Sequence, residues 1–320
     1  MKKIGVLTSG GDAPGMNSAI RAVVRTGIEM GMEVYGIRRG FQGLMDDEIV
    51  EMGRKEVSGI IQRGGTILHS ARCLEFKTKD GQQQAVDVIH KHGLEGIVTI
   101  GGDGSFHGAK DLSELWDIPT IGIPGTIDND LAYTDFTLGF DTACNTALYC
   151  LNNLRDTMNS HERVSVVEVM GRNCGDIALY SGIASGAEVI IIPEVEITMD
   201  EIVQRLKASR LRGKTSNILV LAEGAGNCFD YAKAIEDATG YTVRGQNLGH
   251  ILRGGSPSMA DRMLGVQFGY RAVKLLSQGI GNRVIGTVNQ QIMDFDIIDA
   301  LSIKYEYKKD LYEASKVLCM

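Results

Sequence analysis

The sequence predicts an α/β protein with mainly parallel sheets. Apolar runs rich in valine and isoleucine alternate with helical stretches, a pattern typical of parallel sheets that helices cover on both faces. Glycine accounts for 40 of the 320 residues and proline for only 5, which favours tight turns over a disordered linker. A hydrophobic content of 43% allows a large core, so the chain has room for one or two domains.

The order of the apolar runs gives the predicted order of the strands. The runs are KKIGVLTS, EVYGIR, EGIVTIGG, IPTIGIPG, RVSVVEVMG, AEVIIIPE, SNILVLAEG and RVIGTVNQ. The first four and the next three each suffice for a sheet, and a helix-like segment from Asp141 to Asn159 lies between them. This arrangement predicts two domains.

Charge, hydropathy and cysteine content narrow the class of protein. The formal net charge of -7 provides no basic field for nucleic acid, so local arginines must hold any phosphorylated ligand. No apolar run approaches a membrane span, and the first strand-like segment is too short for a signal peptide, so we expect a cytoplasmic protein without membrane contact. The cysteines form no CxxC pair or zinc-type cluster, and we expect reduced thiols. They are Cys73, Cys144, Cys150, Cys174, Cys228 and Cys319.

A glycine-rich loop follows the first predicted strand, in LTSGGDAPGMNSAI. Gly10 and Gly11 permit a tight turn that brings backbone N–H groups close to a ligand, and the next helix directs its positive end to the same place. The loop has neither the lysine of GxxxxGK[ST] nor the spacing of GxGxxG. We interpret it as a phosphate-binding loop, and a plain strand-to-helix turn is the alternative.

Two further strands end in loops that contain aspartate. In VTIGGDGSFHGA, Asp103 lies beside a glycine-rich backbone, and a carboxylate directed at polyphosphate requires a divalent cation such as Mg²⁺. A helix N-cap is the alternative role for Asp103. In GIPGTIDNDLAYTDF, Asp128 and Asp130 are separated by one residue, so one can hold a metal while the other accepts a hydroxyl proton. A solvated turn is the alternative there, but phosphoryl transfer accounts for all three loops together.

Arginines at strand ends or in glycine loops are candidates for neutralising phosphate oxygens. Each is also compatible with an ordinary exposed charge, which is the common state of arginine. The candidates are Arg72, Arg163, Arg172, Arg244 and Arg253, with His250 close to the last.

Seven motifs occur in a fixed order over essentially the whole chain: GGDAPGMN, RGGT...AR, IGGDGS, PGTIDND, VMGR, AEG and GHxxRGGSP. Together they resemble the bacterial ATP-dependent 6-phosphofructokinases. The resemblance implies two Rossmann-like three-layer α/β/α domains in a homotetramer. It also implies Mg²⁺-assisted transfer of the ATP γ-phosphoryl group to the 1-hydroxyl of fructose 6-phosphate, the committed step of glycolysis. The implied ATP domain is residues 1–138 plus about 251–301, and the implied sugar domain is residues 139–250 plus about 302–320.

Motif-by-motif comparison implies the catalytic roles. Asp128 resembles the general base for the sugar hydroxyl, with Thr126 beside the transferring phosphate. Asp103 and Asp130 are the implied Mg²⁺ ligands. The implied stabilisers of transition-state charge are Arg72, Arg172 and the backbone N–H of Gly11.

The resemblance also implies two sets of binding residues. The implied ATP-binding residues are Gly11, Arg72, Cys73, Gly102, Asp103, Gly104 and Ser105. The implied fructose 6-phosphate residues are Thr126, Asp128, Asp130, Arg163, Met170, Gly171, Arg172, Glu223, Arg244, His250 and Arg253. Of these, Arg163 and Arg244 resemble the pair that reaches in from a neighbouring subunit.

The phosphoryl donor has its own local signal. Pyrophosphate-dependent relatives typically read GGDD and PKTIDND, whereas Gly104 and Gly125 occupy the distinguishing positions here. A second aspartate would crowd the place that an adenylyl phosphate needs, so we expect ATP. The alternatives are a pyrophosphate-dependent phosphofructokinase and a catalytically silent nucleotide or metabolite sensor. A lipid or NAD kinase can carry GGDG but would lack GHxxRGGSP.

The family has an effector site for ADP, GDP or phosphoenolpyruvate between subunits. Arg21 and Arg25 lie one helical turn apart on one face, as such a site requires. Without the family, a solvated helix with Arg25 paired to Glu29 would be preferred. The full implied set is Arg21, Arg25, Arg54, Arg155, Glu188, Arg212 and Lys214.

The chain departs from the family pattern at a few places. Gly59 stands where an effector-site acid is common, which puts effector-metal coordination in doubt, and Phe41 replaces a frequent tyrosine but keeps the aromatic face. A one-residue insertion within 115–119 and the run LAYTDF lie beside the active-site loop. We expect altered kinetics from both, without loss of activity.

Overall fold

The computed structural model describes residues 1–318 and has the predicted α/β organisation. Among those residues all five cysteines are free thiols, as expected, and Cys319 lies outside the described part.

Each of the eight predicted apolar runs contains a strand. The strands are β1 (Lys3–Thr8), β2 (Glu33–Ile37), β3 (Ile49–Glu51), β4 (Gly96–Gly101), β5 (Thr120–Pro124), β6 (Val164–Val169), β7 (Val189–Ile191), β8 (Asn217–Ala222), β9 (Val243–Asn247), β10 (Arg283–Val288) and β11 (Gln291–Asp296).

Helices connect most of these strands. They are α1 (Met16–Glu29), α2 (Gly40–Met45), α3 (Lys79–His92), α4 (Asp103–Trp116), α5 (Phe140–His161), α6 (Asp176–Ser185), α7 (Met199–Leu211), α8 (Cys228–Thr239), α9 (Met259–Ser277), α10 (Ile297–Ser302) and α11 (Lys309–Leu318). The long helix predicted after the aspartate loop corresponds to α5. Short 3-10 helices cover Glu75–Lys77, Glu223–Ala225 and Gly249–Arg253.

The chain divides into two compact units. Unit 1 contains Met1–Thr126, Leu131–Asp141 and Arg253–Tyr305. Unit 2 contains Ile127–Asp130, Thr142–Leu252 and the residues from Glu306 onward. The four residues Ile127–Asp130 therefore group with unit 2, whereas the sequence division placed them within 1–138.

Unit 1 is built on a seven-stranded sheet in the order β11-β10-β5-β4-β1-β2-β3. The five inner strands run parallel, and the two edge strands β3 and β11 are antiparallel to their neighbours. All six residues of β4 are buried, as expected for a strand covered on both faces. Helix α1 packs closely on α9 because Gly265 and Gly269 lack side chains: a Cβ on Gly269 would lie 2.6 Å from that of Ala22.

Unit 2 is built on a four-stranded parallel sheet in the order β7-β8-β6-β9. Every residue of β6 and β8 is buried, which explains why their apolar runs are easy to identify. The sequence prediction missed β9 because VRGQN is mostly polar. It also missed β3 and β11, the two antiparallel edge strands of unit 1, whose residues are mostly only half-buried.

Candidate active site

Two predicted loops of unit 1, and the start of a third, lie side by side at the carboxyl ends of its strands. They follow β1, β4 and β5, which are adjacent and parallel, so their carboxyl ends meet there. The Ser9 N–H donates to the carbonyl of Ile100 at 2.9 Å, and the Gly125 N–H donates to the carbonyl of Gly101 at 2.8 Å. The topology of unit 1 therefore brings the first two loops, with Gly10, Gly11 and Asp103, to the same end of the sheet as the start of the third loop up to Thr126.

The first loop depends on glycine geometry and on one buried amide. Gly10 and Gly15 have φ values of 85° and 104°, in the left-handed region that favours glycine. At the start of α1, the Asn17 side chain donates to the carbonyls of Arg63 and Gly64 at 3.0 and 3.2 Å, and accepts from the Ile67 N–H at 2.8 Å. Sequence analysis did not assign Asn17 a role, although a polar residue on the buried face of a helix is a usable signal.

Arg253 contacts the first loop directly. Its Nη1 donates to the carbonyl of Asp12 at 3.2 Å, and a Cβ on Gly11 would lie only 2.5 Å from the same nitrogen. A side chain at position 11 would therefore displace the Arg253 guanidinium from its present place. Arg253 was predicted to bind fructose 6-phosphate, and the contact with the phosphate loop is an additional feature that the motif did not reveal.

The second loop opens α4 with Asp103. The Asp103 side chain is 57% exposed, and its carboxylate lies 3.7 Å from Nε2 of His107, beyond hydrogen-bond distance. Gly104 is exposed and a Cβ there would meet nothing within 4 Å, whereas Ser105 is buried. The side chain of Thr126 in the third loop approaches Gly102, because a Cβ there would lie 3.6 Å from its Cβ.

The predicted metal-binding carboxylates suit a Mg²⁺ ion that is bound partly by the protein and partly by the substrate. Among residues 1–318 no group of three or more histidine, cysteine, aspartate or glutamate residues is arranged to hold a metal. Mg²⁺ in nucleotide sites is usually bound by one or two carboxylates together with substrate phosphates and water. Exposed Asp103 suits that mode, and the half-buried Asp130 is the second candidate.

Arg72 and Cys73 lie on a loop at the border of the unit 1 core. Arg72 is exposed, and Cys73 is half-buried with its Sγ 3.5 Å from Sδ of Met45. Burial raises the pKa of the Cys73 thiol above its ordinary value. Phe41, which was expected to offer an aromatic face to nucleotide, is buried and stacks on Phe76 with ring centroids 4.3 Å apart.

Unit 2 brings the predicted base next to a predicted arginine. Oδ2 of Asp128 lies 3.3 Å from Nε of Arg172, and the aspartate side chain is 2% exposed while the arginine side chain is 59% exposed. Arg172 follows β6 and has a φ of 52°, an unusual conformation for a non-glycine residue. Oε1 of Glu223, which follows the neighbouring β8, accepts from the N–H groups of Gly171 and Arg172 at 3.1 and 2.7 Å.

A buried glutamate supports the segment that leads to His250. Oε1 of Glu168 accepts from the side chain of Asn247 at 2.6 Å, and its Oε2 accepts from the Cys228 N–H at 2.9 Å. Burial and the neighbouring Glu168 carboxylate raise the pKa of Cys228 to about 11. His250 itself and Arg244 are exposed, and Arg163 and Met170 are half-buried, and their roles toward the sugar phosphate stay predictions.

The implied effector residues form separate groups. In unit 2, Glu188 is buried and pairs with Arg155 at 3.5 Å and with Lys214, while Arg212 is exposed. In unit 1, burial and the like charge of Arg25 lower the pKa of Arg21.

Two further observations concern the unit 1 group. The Glu29 carboxylate pairs with Arg54 at 2.8 Å. The alternative of a solvated helix had instead paired Glu29 with Arg25. Gly59 has a φ of 65° and open space around it.

Two α/β units whose parallel strands end in glycine and aspartate loops define a class of protein that binds phosphorylated ligands. The Phosphofructokinase family model matches residues 3–276. The chain is 58% identical to an ATP-dependent 6-phosphofructokinase of Clostridium tetani and 56% identical to one of Clostridium botulinum, over 99% of both chains in each case. This chain therefore belongs to the phosphofructokinase family, and the predicted family is confirmed.

Solved structures agree with this assignment. A phosphofructokinase of Saccharomyces cerevisiae superposes with a TM-score of 0.90 at 32% identity, over 100% of this chain and 47% of that chain. This chain thus spans about half the length of that yeast chain. A pyrophosphate-dependent phosphofructokinase of Marinobacter aquaeolei has a TM-score of 0.86 at 23% identity over 100% of this chain and 92% of that chain, which shows the fold alone. Within residues 1–318, no helix has both the length and the apolar character needed to cross a membrane.

Proposed function

We propose that this chain is an ATP-dependent 6-phosphofructokinase that converts fructose 6-phosphate and ATP to fructose 1,6-bisphosphate and ADP. The observation that carries the proposal is the buried Asp128 carboxylate beside the exposed Arg172 guanidinium. A carboxylate held in place by its surroundings can accept a proton, and a mobile cation next to it can bind the phosphoryl group that the hydroxyl attacks.

The proposed reaction assigns one task to each predicted group. The sugar 1-hydroxyl gives its proton to Asp128 as its oxygen bonds to the γ-phosphorus, and the bond from that phosphorus to the β-phosphate oxygen breaks to release ADP. Arg72 and Arg172 stabilise the negative charge on the transferring group, and the Gly11 N–H donates to the phosphates. Thr126 lies beside the transferring phosphate.

The metal and the remaining binding residues complete the proposal. Mg²⁺ supplies charge neutralisation to the ATP phosphates when bound, and Asp103 and Asp130 are the residues that would hold it. Unit 1 takes ATP over Gly102, Gly104 and Ser105, near Cys73. The sugar phosphate is held by Arg163, Met170, Gly171, Glu223, Arg244, His250 and Arg253.

Open space at Gly104 supports ATP as the donor. A Cβ at this position would meet no protein atom within 4 Å, so the protein leaves room for a ligand beside Gly104. Gly125 is constrained differently, because a Cβ there would lie 3.0 Å from Cγ2 of Ile100 and 3.1 Å from Cε of Met16. The lysine found at this position in pyrophosphate-dependent relatives would not fit without movement of these side chains.

Assembly and regulation form the wider part of the proposal. We propose a cytoplasmic homotetramer in which Arg163 and Arg244 act on a neighbouring subunit. An ADP, GDP or phosphoenolpyruvate effector would bind near Arg21 and Arg25. Burial and the like charge of Arg25 lower the pKa of Arg21, and a bound anion would oppose both effects because it favours the charged guanidinium.

An assay of the purified protein tests the reaction and the donor together. Fructose 6-phosphate and Mg²⁺ are supplied with either ATP or pyrophosphate, and fructose 1,6-bisphosphate is detected. We expect product with ATP, and loss of product when a chelator removes Mg²⁺. Product with pyrophosphate alone would contradict the ATP proposal, and no product with either donor would favour a silent sensor.

A further inference from the structure

We infer that Asp176 and Lys308 are positioning residues that act through Asn129 to set the direction of the Asp128 carboxylate. The inference rests on the proposed function, because it gives these residues a part in the phosphoryl transfer. All four residues belong to unit 2. Neither Asp176 nor Lys308 lies in a motif that sequence analysis connected with the reaction.

Asn129 has a conformation that needs support. It lies between the proposed base Asp128 and the proposed metal ligand Asp130, is buried, and has a φ of 54°. The left-handed region is uncommon outside glycine, and asparagine occurs there because its short side chain can form nearby hydrogen bonds. A rotation of this one residue would change the directions of both flanking carboxylates.

The support comes from the Asp176 carboxylate. Nδ2 of Asn129 donates to Oδ2 of Asp176 at 2.8 Å, and both groups are buried. A hydrogen bond to a charged acceptor is stronger than one between neutral groups, and burial strengthens it further. Asp176 thus accepts a hydrogen bond from the Asn129 side chain and holds it in place.

Lys308 keeps this acceptor in place. Its Nζ donates to the same Oδ2 of Asp176, and the lysine side chain is half-buried. A nearby carboxylate, Glu194, accepts from the Gly175 N–H at 2.8 Å. Burial raises the pKa of Glu194, the Asp176 charge adds to this effect, and the Lys308 charge opposes it. The Lys308 ammonium therefore pairs with Asp176 and only partly offsets the raised pKa of Glu194.

Asp176 also connects the two halves of the proposed catalytic pair. It is the first residue of α6, four residues after Arg172, and through Asn129 it holds the segment that contains Asp128. The segment of Asp128 and the segment of Arg172 are thus both connected to the Asp176 carboxylate. The 3.3 Å pairing of Asp128 with Arg172 depends on this connection. A shift of about 1 Å in a reacting group can lower a rate about 100-fold.

Steady-state kinetics with ATP and fructose 6-phosphate test the inference. Lys308→Met removes the cation, Lys308→Arg keeps it, and Lys309→Met is the matched control at an exposed neighbouring lysine. For Lys308→Met we expect kcat to fall about 10- to 100-fold while KM for fructose 6-phosphate changes less than about twofold. Lys308→Arg should recover most of the loss, and Lys309→Met should behave as the wild type.

A second variant covers the case in which Lys308→Met does not fold. Asn129→Gly keeps the left-handed conformation accessible but removes the amide donor, and it should also lower kcat with little change in KM. An unchanged kcat in folded Lys308→Met or Asn129→Gly protein would overturn the inference. Failure of the proposed function is distinguishable, because the wild type would then form no product.

A double variant tests whether the effect passes through Asp128. In an Asp128→Ser background we expect Lys308→Met to cause no further fall in kcat, since there is no base left to position. A further fall equal to that in the wild-type background would show that Lys308 acts independently of Asp128, contrary to the inference.

Discussion

At the scale of single residues, exposure differs sharply across the proposed catalytic pair. Asp128 is held in a buried position by its surroundings, while most of the Arg172 side chain faces solvent. This difference fits a base whose direction is set in advance and a cation that can move onto the transferring group. The structure thereby gives a physical basis for distinct roles that the motifs could only suggest.

Substitution of Asp128 should separate chemistry from binding. Asp128→Ser removes the proton acceptor but leaves the arginines that bind phosphate, so we expect kcat to fall by about 10²- to 10⁴-fold. The dissociation constant of fructose 6-phosphate, measured by calorimetry, should stay nearly the same. A comparable loss of binding would contradict the assignment of Asp128 as the base.

Substitution of Gly104 should affect nucleotide use without affecting stability. A Cβ at this position meets no protein atom within 4 Å, and its backbone is not in the left-handed region, so Gly104→Asp should fold normally. We expect kcat/KM for ATP to fall at least about 100-fold because a carboxylate would repel and crowd the nucleotide phosphates. Thermal unfolding should match the wild type, and retained ATP use would remove the structural argument for the donor.

At the scale of elements, one half-buried carboxylate joins helix α9 to the hairpin of β10 and β11. Asp294 accepts from Nε of Arg271 at 3.1 Å and from Nε of Arg283 at 3.0 Å. Burial by itself would raise the pKa of Asp294, but the two guanidinium groups outweigh it and lower the pKa below the ordinary value of 3.8. The antiparallel edge strand β11 is therefore held to α9 by an ion pair between Asp294 and Arg271.

The sign of this shift predicts how the attachment depends on pH. Because the pKa is lower in the folded state, the stabilisation is fully present above the ordinary aspartate pKa and is lost as pH falls through the folded value. Asp294→Asn should lower the free energy of unfolding at pH 7, and the difference from the wild type should shrink as the pH falls below 3.8. Denaturant titrations at several pH values measure this, with exposed Asp237→Asn as the control. A difference that stays constant with pH would rule out the charge-based explanation.

At the scale of the whole molecule, the proposed sharing of sites between subunits makes activity depend on assembly. Arg244 is exposed and Arg163 half-buried, as the proposed contacts with a second copy require. If each site takes its base from one subunit and Arg244 from another, two different inactive variants should complement each other.

Mixed tetramers test this sharing. Asp128→Ser and Arg244→Ala are each expected to be poorly active, and dissociation followed by random reassembly should restore about one quarter of the sites. The measurement is the rate before and after mixing, with each variant reassembled alone as the control. Mixed tetramers that recover no activity would show that Asp128 and Arg244 serve the same subunit.

Much of the fold and part of the candidate site could be predicted from local sequence. Apolar runs identified the strands at the centre of each sheet, because buried strands such as β4 and β8 require continuous apolar residues. The polar strand β9 was missed, since its burial pattern leaves no such signature. Of the eleven predicted fructose 6-phosphate residues, the structure brings Asp128 next to Arg172, whereas roles that need ligand or a second subunit stay predictions.

Local sequence was enough to predict the fold class, the family and the loops proposed to carry the chemistry, because strand periodicity, glycine turns and short motifs are properties of neighbouring residues. Which distant side chains support those loops became visible only in the folded chain. Asn129 and Asp176 are 47 residues apart, and Asp176 and Lys308 are 132 residues apart. These residues come into contact because of how the strands and helices pack. A local sequence pattern cannot predict a hydrogen bond between residues that are brought together only by folding.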